Sequence, residues 1–157
     1  AELAARPSHP LLGRASVHAS LIEGGTELST YPDRCVVKVE RRTLPGETVE
    51  AVEAELRDLA ADASVASFFS REPLETPRDS PVVELVSRCA ERVTGAAPEV
   101  VGVPFWTDAA LLAAAGIPTV VIGPRGEGAH ADVEWVDLES VEQLAEILLA
   151  AAADFCS

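Results

Sequence analysis

Residues 117–134 of the chain read IPTVVIGPRGEGAHADVE. The apolar, β-branched run 117–122 predicts a buried strand, and the glycine-rich residues after it predict a loop. In open α/β sheets, ligands bind in loops that follow the carboxyl ends of strands. This loop carries an imidazole, His130, and a carboxylate, Glu134, four residues later. A neutral imidazole there can bind a divalent metal ion, and the alternative is a glycine loop with one solvated histidine.

The composition is that of an acidic globular chain. It has 157 residues, of which 48% are hydrophobic, and a net charge of -14. Nucleic acid and anionic membrane surfaces are therefore poor partners, because binding phosphates requires clustered Lys and Arg. No signal-peptide pattern opens the chain, and no apolar run approaches the roughly 18 residues of a membrane helix. We therefore expect a soluble, cytoplasmic protein.

Cysteine and methionine usage gives two further expectations. Cys35, Cys89 and Cys156 are far apart and show no Cys-x-x-Cys spacing. They are predicted to be reduced, mostly buried thiols rather than a disulfide framework or a zinc knuckle. The chain contains no Met, so we expect that it begins inside a longer protein or was processed.

The first half of the chain predicts a sheet with one polar face. Residues 16–22 are rich in β-formers and predict a strand that Gly24 and Gly25 interrupt. Residues 35–42 predict a second strand with Val37 and Val39 on one face and Lys38, Glu40 and Arg42 on the other. A sheet with one polar face indicates an antiparallel layer.

An amphipathic helix over 47–61 and a short strand over 65–70 follow these strands. The order β-β-α-β is that of a split-βαβ, ferredoxin-like sandwich that lacks its first strand and most of its first helix. Residues 76–81, TPRDSP, form the best linker in the chain.

Beyond the linker, helices and strands alternate, which predicts part of a parallel αβα layer. Ser80 is predicted to cap a helix that begins at Pro81 and runs to about Thr94. The predicted elements after it are a strand over 100–103, a helix over 107–115, a strand over 119–122, and a closing helix over 140–155 whose apolar stripe is Val141, Leu144, Ile147 and Leu148. The fold class is therefore α/β.

Three further residues are candidates for a functional site. Asp108 follows the strand predicted over 100–103 and is either an ordinary acid at a helix N-terminus or part of the same cleft as His130. Arg42 is either a solvated partner in an ion pair or a fork that holds a carboxylate. Gly123 is needed either for backbone conformation or for the approach of a ligand to backbone N–H groups.

Several short motifs, in order along nearly the whole chain, resemble one family. They are residues 22–25 (IEGG), 31–35 (YPDRC), 40–47 (ERRTLPGE), 104–109 (PFWTDA), 116–118 (GIP), 123–124 (GP) and 129–136 (AHADVEWV). Together they resemble the second half of the zinc-dependent deacylases and exopeptidases that include acetylornithine deacetylase, succinyl-diaminopimelate desuccinylase, aminoacylase and carboxypeptidase G.

The resemblance implies an architecture and a set of residue roles. Residues 1–77 would be most of a lid that forms a homodimer, and residues 78–157 the C-terminal part of a catalytic domain that holds two zinc ions. By the same resemblance His130 would be a metal ligand, supported by Glu134. The substrate-binding residues would be Arg42, Ser29, Asp108 and Gly123. Ser29 replaces the family's usual Asn, and a hydroxyl has less reach and fewer donors than an amide.

The implied activity is hydrolysis of the amide bond of an N-acyl amino acid or small peptide by water that the metal activates. The family's other metal ligands and its general-base Glu lie in the first half of the catalytic domain, so these 157 residues are expected to be inactive alone. The alternative is a non-catalytic dimerisation or structural module without a complete metal site. The acyl group and the amino acid are not distinguished by any motif.

Overall fold

A computed structural model describes residues 2–157, with the side chains of Glu2 and Ala4 excepted. The protein is a mixed α/β chain, and both sheets in the described range are two-stranded and antiparallel. Its elements in chain order are α1 (Glu2–Ala5), β1 (Ser16–Gly24), β2 (Cys35–Arg42), α2 (Val49–Ala60), α3 (Pro81–Thr94), α4 (Ala109–Ala114), β3 (Gly126–Glu127), β4 (Trp135–Val136) and α5 (Leu138–Cys156). No helix in residues 2–157 is both long and apolar enough to cross a membrane.

The chain divides into two compact units. Unit 1 is Ala1–Pro73 together with Gly102–Pro104, and unit 2 is Leu74–Val101 together with Phe105–Ser157. The assignment of residues 1–77 to a lid and of 78–157 to part of a catalytic domain stays a prediction.

Unit 1 is built on the hairpin of β1 and β2. The strands pair antiparallel from Ser16 opposite Arg42 to Gly24 opposite Cys35, with a register shift between Ala19 and Leu21. This pairing confirms the predicted antiparallel layer. The predicted buried face is only half buried, since Val37 and Val39 remain 49% and 38% exposed.

A cluster of four charged side chains links the hairpin to α2. The side chain of Arg41 is only 4% exposed, and its Nη2 lies 2.6 Å from Glu47 Oε1 and 3.7 Å from Glu55 Oε2. Arg6 Nη1 lies 3.0 Å from Glu55 Oε2 and 3.6 Å from Glu47 Oε1. We call Arg6, Arg41, Glu47 and Glu55 the lid charge cluster. Glu47 also accepts a hydrogen bond from the Leu44 N–H at 2.7 Å, which closes the turn between β2 and α2.

The cluster makes the stability of unit 1 depend on pH. Burial raises the pKa of Glu47, but the hydrogen bond from Leu44 and the guanidinium groups of Arg41 and Arg6 outweigh it, so the pKa lies below its ordinary value of 4.5. A depressed carboxyl pKa contributes stability that is fully present above pH 4.5 and is lost as the pH falls through the folded-state value. We expect the urea midpoint of unit 1 to drop across this window, and to drop less in Glu47→Gln. Equal losses in both proteins would contradict this role for Glu47.

Three predicted strands are wrong. Residues 65–70, 100–103 and 117–122 have no regular secondary structure. A strand requires a neighbour whose backbone N–H and C=O groups complete the ladder, and no described segment supplies such a ladder to these residues. The ferredoxin-like order and the parallel αβα sheet are therefore not confirmed.

Unit 2 is organised by the packing of α3 on α5. Its small core consists of Cys89 and Ala90 from α3 and Ile147 and Ala151 from α5, with Ile122 packed against it. The Arg92 guanidinium and the Asp154 carboxylate form an ion pair at 3.2 Å near the C-terminal ends of both helices.

Several details of the predicted helices differ. The buried residues of α5 are Ser140, Ile147 and Ala151, whereas Val141 and Leu148 are 40% and 51% exposed, because α5 turns a neighbouring stripe toward α3. Ser80 begins α3 but makes no side-chain capping hydrogen bond. Its carbonyl oxygen instead accepts from the N–H groups of Val83 and Glu84.

The three thiols are free, but only Cys89 is buried. Cys35 and Cys156 are exposed, because each lies at the end of an element rather than in its packed centre. The expectation of mostly buried thiols is therefore wrong for two of them.

Candidate functional site

His130 lies at the tip of a short hairpin in unit 2. Strands β3 and β4 pair Gly126 with Val136 and Glu127 with Trp135, so the two ends of the loop that carries His130 lie side by side. The Ala131 N–H donates to the Gly128 carbonyl oxygen at 2.8 Å and closes a turn around His130. The imidazole is therefore presented on an exposed loop whose base is closed by backbone hydrogen bonds.

The backbone of His130 is held in the left-handed region, with φ at 65°. Side chains other than glycine rarely adopt this conformation, and it destabilises the fold by about 1 kcal/mol. Histidine is among the residues that tolerate it better, but glycine would be the unstrained choice at a turn of this kind. Such strain is often retained where a side chain is needed for function.

Arg125 and Asp137 fasten the base of this loop to the N-terminus of α5. The Arg125 guanidinium donates to Asp137 Oδ2 from Nη2 at 2.7 Å and from Nε at 3.1 Å. The Arg125 N–H donates to Ser140 Oγ at 2.9 Å, and Asp137 Oδ1 caps α5 by accepting from the Glu139 N–H. The hydrogen bond from Arg125 is the main reason that the pKa of Asp137 lies below its ordinary value.

Two glycines in this loop have different structural roles. Gly128 has φ at +81°, and a Cβ there would clash with the Val133 carbonyl oxygen. Gly123 lacks the left-handed conformation, and a Cβ there would meet no described atom within 4 Å. The backbone conformation and the steric surroundings therefore require glycine at position 128, but they do not require glycine at position 123.

We expect Gly128→Ala and Gly123→Ala to separate these roles. Gly128→Ala should lower the free energy of unfolding of unit 2 by about 2 kcal/mol, because both the backbone angle and the steric conflict oppose it. Gly123→Ala should leave this free energy within about 0.5 kcal/mol of wild type. Urea denaturation of the two variants checks the difference, and equal losses would contradict the assignment.

Asp108 and Gly123 are the other predicted site residues in unit 2. Asp108 is the N-cap residue of α4, yet its exposed carboxylate makes no capping hydrogen bond. Its carbonyl oxygen accepts from the N–H groups of Leu111 and Leu112. Among the described residues, no hydrogen bond or ion pair joins Asp108, Gly123 and His130.

Arg42 and Ser29 belong to unit 1. Arg42 is half exposed, and its Nε lies 3.0 Å from Glu40 Oε1 while its Nη1 donates to the Pro104 carbonyl oxygen at 3.0 Å. Ser29 Oγ donates to Glu27 Oε1 at 3.0 Å. That hydroxyl is already used as a donor, which weakens the prediction that it binds substrate.

A complete metal centre is not present in the described part of the chain. Residues 2–157 contain no group of three or more His, Cys, Asp and Glu side chains arranged to hold a metal ion. A zinc site needs at least three protein ligands at bonding distance. His130 can therefore serve only as one ligand of a site that other residues complete.

Sequence patterns alone did not indicate the residues that hold the candidate site in shape. Arg41 lies beside Arg42 but faces the opposite side of β2, and the spacing Arg41, Leu44, Glu47 gave no sign of a closed turn. The ion pair between Arg125 and Asp137 joins the two ends of the loop that carries His130. A search for opposite charges flanking each candidate loop could have found both pairs.

Comparison with known proteins identifies the family. Residues 5–154 match the model of the Peptidase family M20/M25/M40. The match covers nearly the whole chain, so the chain belongs to this family.

Two curated relatives and one solved structure are consistent with that membership. The chain is 28% identical to an acetylornithine deacetylase from Myxococcus xanthus over 151 residues, which cover 90% of this chain and 38% of that protein. It is 26% identical to a succinyl-diaminopimelate desuccinylase from Hydrogenovibrio crunogenus over 138 residues, covering 84% of this chain and 36% of that protein.

One structural neighbour is an M20 family metallo-carboxypeptidase from Sulfolobus solfataricus. It superposes with a TM-score of 0.66 at 19% identity, over 89% of this chain and 35% of that one. At this identity the likeness concerns the fold alone. The chain thus spans less than two fifths of the length of each of these relatives.

Proposed function

We propose that the chain is the C-terminal portion of a zinc-dependent metallohydrolase that cleaves the amide bond of an N-acyl amino acid or small peptide. Membership of the M20/M25/M40 family over residues 5–154 carries this proposal. The deacetylase and desuccinylase named among its relatives favour a small acylated amino compound as substrate. The family's description as peptidases keeps small peptides in the proposed substrate class.

In this proposal residues 1–77 are most of a lid that forms a homodimer, and residues 78–157 are the C-terminal part of the catalytic domain. The exposed hairpin of β1 and β2 supports a lid, because a two-stranded sheet has unpaired edges that another chain can cover. The cytoplasmic location stays a prediction from composition.

The proposed residue roles follow the chemistry of each group. His130 supplies an imidazole to the metal, and the strained backbone at this residue supports a functional requirement. Arg42 holds the carboxylate of the substrate with its planar fork. Asp108, Gly123 and Ser29 are proposed to border the substrate. The exposed, uncapped carboxylate of Asp108 and the sterically open Gly123 fit this role better than Ser29 does.

The remaining metal ligands and a general-base Glu are proposed to lie outside this chain. The described residues hold no metal cluster, so no catalytic step is assigned to them.

The small core of unit 2 also favours additional polypeptide. Its buried apolar residues are mostly alanines, while Leu112, Ile117 and Leu149 are 48%, 50% and 73% exposed. Apolar surface of this kind is usually covered in a complete domain.

The second candidate is a non-catalytic dimerisation or structural module. The absence of a metal cluster among residues 2–157 is the observation that favours it. Zinc content and hydrolysis of N-acetyl amino acids separate the two candidates when measured on the protein that contains this chain and on the 157 residues alone. Zinc and turnover in the containing protein, but not in the 157 residues, support the metallohydrolase. If the containing protein has neither zinc nor turnover, the result supports the structural module instead.

A further inference from the structure

The lid charge cluster lies on the opposite face of β2 from Arg42, the residue proposed to bind the carboxylate of the substrate. Arg41 and Arg42 are adjacent in β2, so their side chains point to opposite faces of the hairpin. The side chain of Arg41 is 4% exposed and that of Arg42 is 48% exposed. One guanidinium is therefore enclosed by protein, while its neighbour is available to a ligand.

Arg41 contacts the backbone of Arg42 and the turn that follows it. Its Nη1 donates to the carbonyl oxygen of Arg42 itself, which fixes the peptide that follows Arg42. Its Nη2 donates to Glu47 Oε1, whose partner oxygen accepts from the Leu44 N–H. Arg41 thus joins the end of β2 to the turn over residues 43–47, and through Glu55 to α2.

The burial of this cluster makes its geometry well defined. Glu55 is 10% exposed and Glu47 is 22% exposed, so their attraction to Arg41 is weakly screened compared with that of surface ion pairs. Because it contacts the Arg42 carbonyl oxygen, Glu47 and Glu55 together, the Arg41 guanidinium restrains the backbone that carries Arg42. This restraint matters because a bidentate contact between Arg and a carboxylate requires a defined orientation of the fork.

The ligand-facing side of Arg42 is oriented by its own contacts. Glu40 lies 3.0 Å from Nε, and the Pro104 carbonyl oxygen accepts from Nη1 at 3.0 Å, within the same unit. In the described part of the chain, Nη1 donates this hydrogen bond and Nη2 donates none. The fork is thus anchored on one side and has a donor left for a ligand.

We infer that Arg41 and Glu47 are positioning residues that hold Arg42 in place to bind the carboxylate of the substrate. The inference rests on the proposed function and adds to it the origin of carboxylate specificity. Arg41 does not touch substrate; it acts through the backbone of Arg42 and the turn over residues 43–47.

The test compares two substrates in the protein that contains this chain. One is an N-acetyl amino acid, and the other is the matching amide, which lacks the free carboxylate. We expect Arg41→Lys to lower kcat/KM for the acid by about tenfold, mainly through KM, with little change for the amide. Glu47→Gln should act in the same direction and serves as a second variant. Loss of kcat/KM for both substrates alike would overturn the inference, because a purely structural defect makes no distinction between them.

A double-mutant cycle with Arg42→Ala separates the inference from the proposed function. Arg42→Ala alone should remove the preference for the acid, and Arg41→Lys should then have no further effect on that preference. Additive losses would overturn the inference while leaving Arg42 as a ligand. If Arg42→Ala keeps the preference for the acid, the proposed role of Arg42 is wrong. If wild type hydrolyses neither substrate, the proposed function is wrong. In either case the inference about Arg41 and Glu47 is wrong as well.

Hydrogen exchange gives a readout that does not depend on activity. Arg41→Lys should speed exchange of the amides over residues 42–47, since the Leu44 N–H loses its oriented acceptor, while exchange in α3 and α5 stays unchanged. Persistent protection in α2 shows that the variant is folded. Unchanged exchange over residues 42–47 would overturn the positioning role.

Discussion

His130→Asn is expected to abolish both metal binding and hydrolysis in the protein that contains this chain, without loss of folding stability. Substitutions of residues that only support a metal ligand reduce activity by roughly 10–100-fold. Because we propose that His130 is itself a metal ligand, its removal should lower kcat/KM by more than about 100-fold. Asn tolerates the left-handed backbone found at this position, so the variant removes the imidazole and keeps the loop conformation.

Two control variants make this result specific. His18→Asn changes another exposed histidine, located on β1, and should leave metal content and kcat/KM unchanged. His130→Gly should raise the free energy of unfolding of unit 2 by about 1 kcal/mol, because glycine relieves the backbone strain, yet it should be as inactive as His130→Asn. Metal content measured by atomic absorption and activity on an N-acetyl amino acid provide the readouts. Full zinc content in His130→Asn would contradict the ligand role.

Arg41→Ala is expected to destabilise unit 1 by about 3–5 kcal/mol. The substitution leaves Glu47 and Glu55 in a largely buried position without their main counter-ion, and Arg6 is 42% exposed and compensates only in part. Removing one partner of a buried ion pair is much more damaging than removing an exposed one. The free energy of unfolding from urea denaturation at neutral pH measures the effect.

Arg57→Ala is the matched control for this prediction. Arg57 pairs with Glu53 on the surface of α2, and its side chain is 55% exposed. Loss of such an i,i+4 pair should destabilise the helix by no more than about 0.5 kcal/mol. If Arg41→Ala and Arg57→Ala had similar effects, the lid charge cluster would not contribute what its burial implies.

Acid should reduce the difference between wild type and Arg41→Ala. As the pH falls below 4.5 and through the depressed pKa of Glu47, the carboxylate that Arg41 compensates becomes neutral. A neutral Glu47 has less need of a counter-ion, so the same substitution should then be less destabilising. An undiminished difference at low pH would indicate that Arg41 acts through packing rather than charge.

Local sequence patterns predicted the elements whose stability comes from their own residues. Helix α3 begins at Pro81, as the pair Ser80 and Pro81 predicts, and ends at Thr94, where Gly95 follows it in the left-handed conformation. Strand β2 covers Cys35–Arg42, as the alternation of Val with charged residues predicts. In both cases the signal lies within the segment itself, because capping and period-two alternation involve neighbours in the chain.

Predictions that required distant partners were less successful. Residues 117–122 have the composition of a buried strand, but composition does not supply the neighbouring strand that a ladder needs, and the described residues form none there. The apolar stripe of α5 was predicted from its periodicity, whereas the face that is buried was decided by where α3 lies. Periodicity identifies an amphipathic helix more reliably than it identifies the exact face in contact.

By itself, the sequence determined the resemblance to the zinc-dependent deacylases and exopeptidases, the antiparallel hairpin and the main helices. It also indicated His130 and Arg42 as candidate site residues. Only the tertiary structure decided that His130 sits in a strained left-handed turn and that Arg41, next to the exposed Arg42, is enclosed between Glu47 and Glu55. The physical reason is one of range. Residue type and spacing act over a few positions, whereas backbone strain and the burial of charge depend on groups that folding brings together.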